Sequence, residues 1–192
     1  MSLIIGGHMS IGGGFSDAPA RARGIGLEAM QVFTKNQRQW ISKPLNMEDV
    51  HAYIENMKNY GIRITVAHAS YLVNLAAPEQ DKFQKSVESM VHELQCDTLQ
   101  IPYLIFHPGA HMGEGEKTGL KRIVEGLDMI IEKMEGINAK ITIETTAGQG
   151  TNLGYKFEQI AFMIDNVSDR SKVKVCMDTC HIFAAGYELR SK

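Results

Sequence analysis

Six short apolar runs, each followed by a helix-like or loop segment, set the strongest limit on what this chain can fold into. They are LIIGGH (3–8), AMQVF (29–33), ITVAH (64–68), YLIFH (103–107), KITIE (140–144) and VKVCMD (173–178). Each has the length of a buried strand, is rich in Ile, Val and Phe, and lacks clean polar alternation, as strands covered on both faces do. The intervening segments change period. Val87, Met90, Val91 and Leu94 fall at helical spacing within 79–95, after a Pro78 suited to a first turn. Leu120, Ile123, Val124, Leu127, Ile130, Ile131 and Met134 form one stripe in 117–134, and Phe157, Ile160, Ala161 and Ile164 form a shorter one. Asn46 suits the N-cap of a helix over 47–59, with Glu48 and Asp49 well placed in its first turn.

Strand–helix alternation of this kind predicts βα units and a parallel sheet within a single α/β domain, residues 1–192. An open doubly wound sheet normally carries a glycine-rich phosphate turn after its first strand. GGHMSIGGG does not fit that pattern, so the units are expected to be of the TIM (β/α)₈-barrel type. A closed barrel needs eight units and typically about 250 residues. The expectation is therefore an incomplete barrel, with about six of eight units in 192 residues.

A net charge of −2 provides no whole-molecule basic field for nucleic acid or anionic membrane. Three cysteines at irregular spacing argue against a disulfide framework and for a reducing, cytoplasmic compartment. No apolar stretch approaches the roughly 18 residues of a membrane helix, and the N-terminus lacks a signal-peptide core.

The ends of the apolar runs carry the chemistry. Runs one, three and four finish in His8, His68 and His107, the fifth in Glu144, and the sixth in Asp178 with His181 just beyond. In a parallel barrel all these ends face one rim, where varied loops are held by fixed strands. Acids and imidazoles crowded on one rim would repel or go unsatisfied unless a cation joined them, and all are suitable ligands for zinc or a similar ion. His111, four residues after His107 in HPGAH, is expected to support the ligands from behind, as is His8.

The loops after the second and third runs are also suggestive. FTKNQRQW sets Lys35 and Arg38 among amides beside the only tryptophan, Trp40. ASYLVNL presents Tyr71 and Leu72. Basic and amide groups beside apolar wedges suit a phosphate backbone and an unstacked base. From composition alone, an ordinary solvated loop with Trp40 packed on the barrel is the favoured reading.

The stretches GGHMSIGGG, QVFTKNQRQW, HASYLVNLA, FHPGAH, IETTAGQGTNLGYKFEQI and MDTCHIFAAGYELR resemble endonuclease IV, the metal-dependent apurinic/apyrimidinic endonuclease family of DNA base-excision repair. The similarity runs over essentially the whole chain. It implies a (β/α)₈ barrel with Zn2+ at its rim, three ions in the complete site, Mn2+ being the alternative metal. His68 and His107 would bind one ion, Glu144 would bridge to a second held also by Asp178, and His181 would bind a third. The partner implied is double-stranded DNA with abasic sites. Arg38, Tyr71 and Leu72 would fill the gap left by a flipped-out abasic nucleotide. The reaction implied is hydrolysis 5′ to the abasic site by a zinc-activated hydroxide, together with trimming of blocked 3′ ends. Glu144 would be the catalytic carboxylate.

The family takes further ligands from a region after the sixth strand that this sequence does not contain. The second metal site is therefore expected to be halved and the third to keep His181 alone, with one well-held ion or fewer. Weak or absent activity and self-association through open barrel edges are further expectations. Two other readings remain: an inactive metal- or DNA-binding remnant, and a sugar isomerase or epimerase, which shares the barrel and a divalent site.

Overall fold

A computed structural model describes residues 3–190. Along the chain run β1 (Gly6–His8), α1 (Ala18–Gly24), β2 (Ala29–Phe33), α2 (Met47–Asn59), β3 (Ile64–His68), α3 (Gln80–Glu93), β4 (Tyr103–Phe106), α4 (Glu116–Ile131), β5 (Lys140–Glu144), α5 (Phe157–Asn166), β6 (Val173–Cys176) and α6 (Thr179–Ala184). The six strands form one sheet in the order β1-β2-β3-β4-β5-β6. Every neighbouring pair is parallel.

That strand order rules out the doubly wound alternative, which reverses direction at a switch point. With each strand beside the next in sequence and crossovers right-handed, all the helices fall on one face, as in a barrel. The described residues form an open α/β sheet of barrel type, with β1 and β6 as its edges.

One register row shows where the core sits. Val32 lies opposite Ala67, Ala67 opposite Leu104, Leu104 opposite Ile141, and Ile141 opposite Val173. All five side chains are buried. The helices cover this row with fully buried Tyr53, Phe83, Met90, Ile123, Leu127 and Ile130. The alternate positions of β2, Ala29, Gln31 and Phe33, are only partly covered, because the opposite face of the sheet is open.

The elements match the hydrophobic periods, with informative differences. Asn46 caps α2 as expected, its side chain accepting the Glu48 N–H. The first run shortens to Gly6–His8, and Leu3, Ile4 and Ile5 stay 85%, 40% and 61% exposed. Apolar composition there does not make a strand, since the edge offers no second neighbour to pair with. The fourth and sixth strands end at Phe106 and Cys176, so His107 and Asp178 stand just past them. The hydrophobic periods do not predict α1 or α6. Pro in its first turn favours α1, and Asp178 caps α6 by accepting the His181 N–H. No described helix is long and apolar enough to cross a membrane.

Candidate metal centre at the strand ends

The centre is built on the ends of three adjacent inner strands and extended by one edge strand. β3 ends in His68, β5 ends in Glu144, and between them β4 delivers His107. His68 Nε2 lies 3.0 Å and His107 Nε2 3.4 Å from the same oxygen, Glu144 Oε2. From the β6 side, His181 Nδ1 lies 3.5 Å from Glu144 Oε1 and 3.7 Å from Asp178 Oδ2. Two overlapping groups result, His68–His107–Glu144 and Glu144–Asp178–His181, each with ligand atoms within 4.8 Å of one another.

The hydrogen bonds around these groups are those a cation site needs. His68 Nδ1 lies 2.7 Å from the Ala69 carbonyl and donates to it. A neutral His68 then turns the lone pair of Nε2 towards a carboxylate oxygen, so two acceptors face each other until a proton or metal ion supplies positive charge. His181 Nδ1 likewise donates to the Thr145 carbonyl at 2.7 Å. A backbone carbonyl behind the ring is a common way to fix a ligating imidazole. Thr145 also accepts the Asp178 N–H through its hydroxyl at 2.9 Å, so one residue after Glu144 orients both edge ligands. Burial pushes the Glu144 carboxyl up, but hydrogen bonds and charge from His107 and His68 more than offset this and hold it at about 2. Nitrogen and carboxylate donors in this number fit a borderline divalent ion such as zinc.

A cavity of about 350 Å³ opens over these ligands. Its lining adds residues that strand-end reading missed: Gln31, Cys176 and Met177. Gln31 was visible in principle, as the one amide in the apolar run AMQVF. Burial and the nearby Glu144 and Asp178 charges push the Cys176 thiol up to about 11.

Tyr71 stands at the mouth, 60% exposed, with its ring 5.4 Å from that of His68 and 5.8 Å from that of His107. Leu72 is half-buried and Arg38 is exposed in the loop after β2. Arg38 borders a larger cleft of about 700 Å³ that also takes in His8, Phe33 and Gln37. Lys35, read from sequence beside Arg38 as a phosphate contact, is instead buried and engaged internally. Trp40 is half-buried.

His8 and His111 join neither ligand group. His8, exposed on the edge strand, pairs its Nδ1 with Gln31 Nε2 at 3.2 Å. His111 Nδ1 accepts the Gly113 and Gly115 N–H groups and so shapes its own loop. That loop needs Gly109, whose φ is +116° and whose missing Cβ leaves room for the Asn74 amide.

Sheet order and site together define a barrel-type α/β protein with a candidate divalent-metal centre at its strand ends. The profile of the xylose isomerase-like TIM barrel family matches residues 19–191. The probable endonuclease 4 of Chloroflexus aggregans (strain MD-66 / DSM 9485) is 47% identical over 186 residues, covering 96% of this chain and 65% of that protein. The probable endonuclease 4 of Campylobacter fetus subsp. fetus (strain 82-40) is 42% identical over 192 residues, covering 98% and 67%. The crystal structure of endonuclease IV from Thermus thermophilus superposes with a TM-score of 0.82 at 34% identity, covering 95% of this chain and 65% of that one. The chain belongs to the endonuclease IV family within the xylose isomerase-like TIM barrels. It spans 65% of the length of the Chloroflexus relative. A D-psicose 3-epimerase shares the fold alone, with a TM-score of 0.75 at 15% identity.

Proposed function

We propose that this chain carries the metal-binding, DNA-facing rim of a phosphodiesterase that acts on double-stranded DNA at abasic sites, incising on their 5′ side and clearing blocked 3′ ends. The observation that carries the reading is the convergence of His68, His107, Glu144, Asp178 and His181 in two groups sharing one carboxylate, with an exposed tyrosine ring against the ligand histidines. Family membership supports the substrate class.

His68, His107 and Glu144 would hold one zinc ion, while Glu144, Asp178 and His181 would contribute to further ions. When bound, such ions supply Lewis-acid polarisation of a phosphoryl oxygen and acidify water at neutral pH. The chain's own residues do the rest. Glu144 reaches both groups, so it ties the position of one to the other. The Ala69 carbonyl holds the His68 ring with Nδ1 as donor, leaving Nε2 as the ligating atom, and the Thr145 carbonyl fixes the His181 ring through its Nδ1–H. Exposed Arg38 offers a bidentate donor to a phosphate at the cleft. Tyr71 presents a ring on which a displaced base or sugar can rest, with Leu72 behind it. His8 and His111 support from a distance, through Gln31 and the loop after β4. Three free cysteines accord with a reducing cytoplasm.

The test titrates the chain with zinc and measures its binding to a duplex with one abasic analogue and to the same duplex intact. We expect zinc-dependent preference for the abasic duplex and slow incision, since the Asp178–His181 side is about a third exposed and stands on an edge strand. Equal affinity for the two duplexes with zinc bound would overturn the substrate assignment, and no zinc bound would overturn the metal assignment.

A further inference from the structure

Lys35 and Glu93 form a salt bridge of 2.7 Å with side-chain exposures of 1% and 0%, and belong to neither ligand group. Taking two charges out of water costs several kcal/mol per ion, and well-packed apolar residues of similar volume often serve stability as well or better. Stability alone is therefore a weak account of the pair. The remaining donors and acceptors indicate a different one.

Lys35 Nζ has three protons and each has a separate acceptor: Glu93 Oε1 at 2.7 Å, Ser89 Oγ at 2.7 Å and the Trp40 carbonyl at 2.8 Å. Glu93 Oε1 also accepts the Ser70 N–H at 3.1 Å, and Oε2 accepts the Thr34 hydroxyl at 2.6 Å. Thr34, Lys35 and Trp40 belong to the loop after β2, and Ser70 to the loop after β3, whereas Ser89 and Glu93 lie on α3. The two loops are also joined directly, since Ser70 Oγ donates to the Gln37 carbonyl at 2.7 Å and accepts the Leu72 N–H at 3.2 Å. Further along the first loop, Ser42 bonds the His92 ring through its N–H at 3.1 Å and its hydroxyl at 2.9 Å. Arg38 and Tyr71 project from these two loops.

We propose that the Lys35–Glu93 pair is a positioning device that pins the loops after β2 and β3 to α3 as one body, so that Arg38 and Tyr71 meet a nucleic-acid backbone and a displaced nucleotide at a fixed separation. The DNA-facing part of this inference rests on the function proposed above. A pinned pair of loops lowers the entropy of ordering two contact segments on binding. The pair itself touches neither DNA nor metal. Its effect passes through Ser70, Gln37 and the Trp40 backbone.

The test compares the zinc-loaded wild type with Glu93→Gln, Lys35→Met and the double variant Lys35→Met/Glu93→Leu. Readouts are hydrogen exchange over 34–42 and 69–73, emission of the single tryptophan, zinc affinity, and the preference for an abasic over an intact duplex. Each single variant is expected to raise exchange in both loops together and to lower the duplex preference by roughly tenfold or more, with zinc affinity unchanged. The double variant should regain part of the thermal stability, because no unpaired charge stays buried, yet keep the loosened loops and the lost preference. Recovery of the preference along with stability would show the pair to be merely structural, and loosening of one loop alone would refute the pinning. Should the wild type bind both duplexes equally, the proposed substrate falls, and the exchange of the two loops alone decides whether the pinning stands.

Discussion

The two sides of the candidate metal centre are made of the same residue types but are held differently. His68, His107 and Glu144 come from three adjacent inner strands, each paired on both sides. His68 and Glu144 side chains are only 6% and 10% exposed. Asp178 and His181 follow β6, an edge strand, and are 33% and 28% exposed. On the inner side the sheet register fixes His68 and Glu144, while His107, one residue past β4, is 34% exposed. On the outer side the same work passes to local bonds, with Thr145 orienting both residues and Asp178 capping the helix that carries His181. The candidate ligands on one rim are thus not equally preorganised: His68 and Glu144, which close paired strands, are the buried ones.

The sharpest break of this comparison is Glu144→Gln. Glu144 is the one residue in both groups, so zinc affinity should fall beyond the ~10–100-fold that changes behind a ligand produce. His181→Ala should leave zinc binding by His68, His107 and Glu144 in place. Competition titrations against a chelator would separate the two variants, and equal losses would mean that the two sides form one undivided site.

A second pair of variants carries the contrast into folding. Leu104→Ala removes a fully buried residue from the middle of the core row and should cost about 2–5 kcal/mol. Val175 on the edge strand is 44% exposed, and Val175→Ala should stay within about 0.5 kcal/mol. Denaturant unfolding of both would reverse the interpretation if the edge variant proved the costlier.

A further expected effect concerns acid. With metal removed, the Glu144 carboxyl titrates at about 2, below its ordinary 4.5. The unfolded chain takes up that proton first, so the stabilisation is present above about pH 4.5 and is lost as pH falls towards 2, by at most about 3 kcal/mol. Glu144→Gln should flatten the acid limb of the thermal midpoint over that window. An unchanged limb would locate the acid sensitivity elsewhere, outside the inner group.

Much of this arrangement is legible in the sequence, for reasons that also explain what is not. Buried parallel strands have to be continuous apolar runs, so β2 to β6 and the polar residues that close them stand out. Leu3, Ile4 and Ile5 have the same composition, but their exposure depends on what lies beside β1, which no local pattern records. The D-T-C-H stretch reads as ligands and conceals a helix start, because one aspartate both caps α6 and faces the His181 ring. Lys35 reads as a free cation because its acceptor lies 58 residues later on α3. Asp178 and His181, assigned by resemblance to separate ions, converge here with Glu144 into one group.

Barrels are usually credited with loops that can be exchanged one at a time. Here the loop after β2 is joined to that after β3 through Ser70, the loop after β3 to that after β4 through Asn74, the loop after β4 to that after β5 through the Ala110–Asn152 bridge, and Thr145 to Asp178. The loop after β1 is anchored separately, on Asp49 of α2. A lineage built on this rim is free to lengthen or rewrite the loop after β1 by itself. Novelty in any of the others has to arrive as matched changes in two neighbours at once, which slows their divergence and confines innovation to one margin of the molecule.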